Sequence, residues 1–332
     1  MLLLFFALAC RDKDDPIAPE SEVVESQIES GDSGDGERFS GLDTDEGFGA
    51  SLAAGALGAI WVGAPFGSVS RIYQIDGSTV SLALEQAGFD AAGTGLAYGD
   101  SGLMVGAPLA ANGAGRLLNE GGALVEGAAG ALLGARVRVQ GAQWAATTAQ
   151  GILTSGGSVE LGETPGDLAY GSSGVLWVGL PRGVGEITDI NVRYPLGSAG
   201  EELGAALCVG ELRGDGQELL AVGAPGVGRV YLVPLGEGVA RVDEAQVIDL
   251  GSGRFGAALA CGDGALAVGA PTYGRDASGA VWTLDAEDLR DAALGAPRLE
   301  GSPGSDLGAA VLWQDGALWV GAPGASEVRV LR

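Results

Sequence analysis

The chain has 332 residues, with 43 acidic against 18 basic side chains, a formal charge of −25 and no histidine. The charge disfavours nucleic acid as a partner, because phosphate binding relies on clustered Lys and Arg; the missing histidine removes Ser-His-Asp and Cys-His triads, His-ligated zinc and the commonest general base. The single lysine, Lys13, lies ahead of any foldable segment, so a Ser-Lys pair is excluded too, and the 61 glycines follow no collagen period.

Residues Leu2 to Ala9 are apolar. The stretch is too short for the roughly 20 residues a bilayer span needs but has the length of a signal-peptide core. Ala7-Leu8-Ala9-Cys10 resembles the lipobox of a bacterial lipoprotein signal. That resemblance implies removal of residues 1–9, lipid attachment at Cys10, and a place outside the cytoplasm, on the bacterial outer membrane or cell surface. From Arg11 to Asp35 the chain is acidic and has no aromatic residue. It cannot bury enough surface to offset its ordering entropy, so residues 10–36 read as a lipidated cysteine and a flexible tether.

From Glu37 to Arg332 one pattern recurs: an apolar strand, Gly-Ala-Pro, a short loop and another apolar strand. Its copies are Ile60–Pro65, Leu103–Pro108, Leu176–Pro181 (with Leu180 for Ala), Leu220–Pro225, Leu266–Pro271 and Leu318–Pro323. A worn copy, Gln143–Thr148, fills the gap after the second. Taking positions 63, 106, 146, 179, 223, 269 and 321 as the first glycine of each, the spacings are 43, 40, 33, 44, 46 and 52. A second signature lies upstream: Phe48-Gly49, Leu133-Gly134, Leu203-Gly204, Phe255-Gly256 and Leu307-Gly308, looser in repeats two and four.

Phe-Gly followed by Gly-Ala-Pro resembles the FG-GAP family, and residues 37–332 resemble the β-propeller of integrin α subunits. The resemblance implies an all-β, seven-bladed propeller with a role in adhesion or recognition. The residues agree with it on physical grounds. Each repeat offers about four short strands, with hairpin signals such as Asp263-Gly264 and Asp315-Gly316. Strands apolar in succession, such as Ile60-Trp61-Val62, suit sheets covered on both faces by neighbouring blades. Repeat seven ends at Arg332 after its third strand, so Arg38-Phe39-Ser40-Gly41 is predicted to supply its outer strand and close the ring.

Integrin-type repeats bind calcium in the hairpin between their first two strands through a loop of oxygen ligands. Only repeat five keeps that length, at Glu211–Leu219. Glu211 and Asp215 match ligand positions and Glu218 sits one residue early, but Arg213 places a cation where a ligand belongs. The expectation is no cofactor, with weak Ca²⁺ at Glu211, Asp215 and Glu218 the residual candidate. Arg213-Gly214-Asp215 spells an adhesive tripeptide inside this degenerate loop and is not read as one. Gly251–Gly256 imitates a nucleotide-binding turn but falls in register with the repeats, and Gly-Asp-Ser-Gly at 31–34 and 99–102 lacks a histidine base.

Trp61, Trp144, Trp177 and Trp319 share one strand position and read as blade-to-blade packing. Cys208 and Cys261 fall on inner strands of adjacent repeats, offset by one residue relative to the Leu-Gly and Phe-Gly marks, so they are expected to face oppositely and not to bond. The combined expectation is a monomeric, lipid-anchored, extracytoplasmic propeller that binds a protein or glycan without catalysis. Its binding face would be the rim after Gly-Ala-Pro, where Phe66, Arg182, Tyr273, Arg275 and Asp276 are the large or charged side chains. The alternatives are a carboxylate-dependent polysaccharide hydrolase or lyase, which needs two convergent acids, and a structural subunit of an envelope complex.

Overall fold

A computed structural model describes residues 23–24, 36–41, 47–88, 90–119, 121–187, 193–198, 200–236, 239–262 and 264–332. Cys10, Lys13, the signal-like segment and Asp263 lie outside the described residues. Seven antiparallel sheets form the blades of a ring. Their inner strands, in order, are Ser51–Ala54, Gly95–Gly99, Val137–Gln140, Leu168–Tyr170, Leu207–Glu211, Ala258–Gly262 and Ala310–Gln314. Each inner strand lies against those of the blades on either side, the seventh against the first.

The hairpins follow local chemistry. Gln314 pairs with Ala317 around Asp315-Gly316, both at positive φ (51° and 73°), the geometry of a two-residue turn that matches strand twist. The ring is closed as the sequence predicts: Glu37–Ser40 pairs antiparallel with Glu327–Leu331, Phe39 opposite Val328. Phe39 is buried and stacks on Trp319 at 5.7 Å between ring centroids.

The two glycine signatures are halves of one contact. The N–H of Gly256 donates to the carbonyl of Gly269 in its own blade at 3.1 Å, while its carbonyl oxygen would lie 2.0 Å from any Cβ on Gly223 of the preceding blade. At the closing seam a Cβ on Gly321 would meet the Gly49 oxygen at 1.9 Å. Gly63, Gly106, Gly179 and Gly269 meet the next blade's glycine oxygen in the same way, so at these junctions backbone passes backbone and leaves no room for a side chain.

Four expectations need correction. In blade three the Gly134 N–H donates to Thr147, not to residue 146, so Thr147 takes the position of Gly63 and the worn copy is shifted by one. Trp144 therefore points to the opposite face from Trp61, Trp177 and Trp319. Those three pack toward the following blade, whereas Trp144 packs with Ala97, Met104 and Leu117 of the preceding one. Within the segment read as a tether, Val23–Val24 adds an edge strand to the first blade, opposite Ser81 and Val80. A β-branched pair beside the open edge of the nine-residue strand Thr79–Ala87 has the composition for that pairing.

Cys208 and Cys261 form a disulfide, Cα–Cα 5.6 Å, joining the inner strands of blades five and six. The one-residue offset does place them on opposite faces of their own sheets. In a ring, however, the forward face of one blade meets the backward face of the next, so opposite faces are what bring adjacent blades' residues together.

Candidate functional site

The rim loops and the start of each inner strand lie at the same end of the ring, because Ser51 pairs with Gly63 just before the first Gly-Ala-Pro loop. The five rim residues are spread over blades one, four and six. Phe66 and Arg182 are exposed, Phe66 beside Gly47. Tyr273 is half-buried, edge-on to Trp282 at 5.0 Å. Arg275 and Asp276 share its loop on a single 3₁₀ turn, with the Asp276 carbonyl accepting from the Gly304 N–H at 2.7 Å. The structure thus groups Tyr273, Arg275 and Asp276 and leaves Phe66 and Arg182 apart.

The calcium candidates occupy the opposite end. Glu211 and Glu218 are cross-strand partners. Glu211 accepts from the Asp215 N–H at 3.1 Å, Asp215 from the Gln217 N–H at 3.0 Å, and Glu218 from Ser172 of the preceding blade at 3.0 Å. The carboxylates serve turn and seam hydrogen bonds. Arg213 reaches into the seam with blade six, donating to the Leu289 carbonyl at 3.0 Å and to Gln246. Among the described residues no three Asp, Glu, Cys or His side chains converge as a metal-holding group.

The central channel holds a charged cluster that the sequence reading missed. At its narrow end is a cavity of about 110 Å³ bordered by all seven blades, at or just before the start of their inner strands. Arg138 donates to Asp167 at 2.9 Å, and Asp167 also accepts from the Leu207 N–H at 3.0 Å. Arg136 lies 3.9 Å from the same carboxylate. Both arginines stand on the side of blade three that faces blade four, where Asp167 precedes the strand Leu168–Tyr170. Beyond Arg138 the channel widens to about 440 Å³, walled by Tyr98, Tyr170, Leu312, Trp313 and the disulfide. Burial raises the pKa of the Tyr170 hydroxyl, which keeps it neutral.

A signal for this cluster was present. When the repeats are aligned on their upstream glycines, the residue after the glycine is Ala50, Thr94, Ala135, Asp167, Ala205, Ala257 and Ala309. The next column reads Ser51, Gly95, Arg136, Leu168, Ala206, Ala258 and Ala310. Charge enters these small-residue columns only at the seam between blades three and four.

No family model matches the sequence, and no curated protein matches it. Solved structures do share its fold. A catalytically inactive histidine-to-alanine variant of virginiamycin B lyase from Staphylococcus aureus, solved with quinupristin, superposes with a TM-score of 0.64 at 13% identity, over 88% of this chain and 97% of the lyase. The extracellular domain of a hybrid two-component system from B. thetaiotaomicron superposes with a TM-score of 0.51 at 12% identity, over 85% of this chain but 37% of that one. At such identities the likeness establishes the fold alone: a seven-bladed β-propeller. Fold by itself assigns no activity.

Proposed function

We propose that the chain is a non-catalytic recognition propeller of the FG-GAP, integrin-like type, held outside the cytoplasm by lipid on Cys10 and binding a protein or glycan through its Gly-Ala-Pro rim. The observation that carries the non-catalytic part is the state of Asp167. Among the described residues it is the one carboxylate bordering the two channel cavities, and it is ion-paired with Arg138, its Oδ2 accepting from both Arg138 and the Leu207 N–H. An acceptor in use in this way is poorly placed as a proton-transferring base. The fold neighbour that is a lyase is described as inactive once a histidine is replaced by alanine, and this chain has none.

The disulfide supports the location, since such bonds persist in oxidising compartments. With Cys208 and Cys261 bonded to each other, Cys10 is the remaining cysteine of the three. The rival reading, a carboxylate-dependent polysaccharide hydrolase or lyase, draws on the enzyme among the fold neighbours.

Pull-down from membranes with the intact protein, run beside a glycan array, tests the reading. Capture of one partner, lost on Arg275→Ala with Tyr273→Ala, is expected; depolymerisation of an array glycan would establish the rival instead. Cys10→Ser should move the protein from the membrane to the soluble fraction, and unchanged fractionation would refute lipid anchoring.

A further inference from the structure

The channel's charge balance runs against that of the chain. Acidic residues outnumber basic ones by 43 to 18 overall. Yet among the described residues the ionisable side chains of acidic or basic type bordering the two channel cavities are Arg136, Arg138 and Asp167, a net of one positive charge. Five arginines outside the channel are held by carboxylates at 2.6–2.9 Å: Arg71 by Glu85, Arg116 by Glu126, Arg229 by Asp249, Arg254 by Glu202 and Arg332 by Glu37.

Arg136 is held less closely than these five. Its guanidinium donates to the Ala135 carbonyl at 3.1 Å and otherwise comes no nearer to a charge than the 3.9 Å contact with Asp167. Asp167 is one carboxylate against two guanidiniums: its Oδ2 accepts from Arg138 and the Leu207 N–H, and its Oδ1, without a hydrogen bond, lies within ion-pair distance of both arginines, so one positive charge is left over. Most of the five N–H donors of Arg136 are left for the cavity, which small and aliphatic residues border together with Ser51, Thr94, Arg138 and Asp167. A charge in a channel is screened less than the same charge on the open surface.

We infer that the channel is a binding site for a small monoanionic carboxylate with an apolar or aromatic body. The carboxylate would pair with Arg136 in the narrow cavity, whose volume of about 110 Å³ admits a head group rather than a whole ligand. The body would lie beyond Arg138 in the wider section, against Tyr98, Tyr170 and Trp313. Leu52, Leu96, Leu259 and Val311 border both sections, so the polar and apolar halves are contiguous. Arg is suited to the head because its planar fork matches a carboxylate bidentately, and the aromatic wall favours a flat ring over a sugar-like polyol. This site is independent of the rim reading, and its occupant is a small molecule.

The test is titration of the full-length protein with benzoate, followed by calorimetry and by the fluorescence of channel-lining Trp313. Benzylamine, with the same ring and opposite charge, and sulfate, an anion without a body, are the controls. The expected result is saturable benzoate binding, with benzylamine and sulfate at least about tenfold weaker. Arg136→Gln should weaken benzoate by about tenfold or more, the cost of one charge-assisted hydrogen bond, while the Arg138–Asp167 pair and the melting temperature are kept. Arg136→Lys should fall between the two, because it keeps the charge and loses the fork. Three results would each overturn the inference: no saturable benzoate binding up to about 10 mM, an affinity too weak for a built site; equal binding of benzoate and benzylamine; or equal binding of benzoate by the parent and Arg136→Gln. Sulfate binding as tight as benzoate overturns the apolar half and leaves a simple anion hole. Should Arg136→Gln fail to fold, the benzoate-to-benzylamine comparison on the parent decides the matter alone.

Discussion

Ring closure is the feature on which the whole fold depends, and it rests on a four-residue strand. Phe39 is 1% exposed and shares a cluster with Ile60, Val62 and Tyr73 of blade one and Val328 and Val330 of blade seven, so one side chain joins the first blade to the last. Truncating it to Ala removes a fully buried aromatic from a closed seam, at a cost of about 3–5 kcal/mol. For a chain of this size a melting shift of roughly 2 °C per kcal/mol follows, so Phe39→Ala should melt about 6–10 °C lower. Deleting residues 1–41 should cost more. It also removes the ladder to Glu327–Leu331, each hydrogen bond worth about 1 kcal/mol net, and leaves an open sheet edge. The exposed Arg332–Glu37 pair adds little. Among the described residues, deleting 1–35 removes the two-residue strand Val23–Val24 and nothing else, a cost on the order of 1 kcal/mol. Thermal unfolding followed by circular dichroism on the parent, the variant and both truncations separates these cases. Equal melting of the two truncations would refute closure by this strand.

Three further outcomes can be checked in the same assay. Cys208→Ala with Cys261→Ala, or reduction, should cost about 4 kcal/mol from loop entropy across the 53-residue separation, and the double variant should be insensitive to reductant; a double variant that melts with the parent overturns this. Millimolar calcium and chelator should give the same melting curve, whereas a working site at hundredfold excess over Kd would add about 2.7 kcal/mol; a calcium-dependent rise that vanishes in Asp215→Ala would establish the repeat-five site. Burial raises the Asp306 pKa, so its contribution to stability is present below the ordinary carboxylate value and is lost as pH rises through the higher folded value. Asp306→Asn, neutral throughout and tolerant of the positive φ of 51°, should therefore gain on the parent at pH 7 and lose that gain in acid. A gap that does not change with pH would remove burial of the charge as its cause.

The sequence by itself determined the repeat, the blade count, the closing strand and the hairpin at Asp315-Gly316, because each depends on local pattern or on a motif recurring in register. The paired glycine signatures were legible too, although their meaning as backbone-to-backbone junctions between blades emerged only from contacts such as Gly256 against Gly223. Tertiary structure decided what depends on which face meets which. The offset between Cys208 and Cys261, read within a single sheet, argues against a bond; around a ring the same offset creates it. The one-residue shift at Thr147 turned Trp144 to the other side of its blade, because a strand's faces alternate with every residue. The cluster of Arg136, Arg138 and Asp167 joins residues up to 31 positions apart across a seam. Only the radial arrangement of the strands turns three isolated charges in columns of small residues into one channel site.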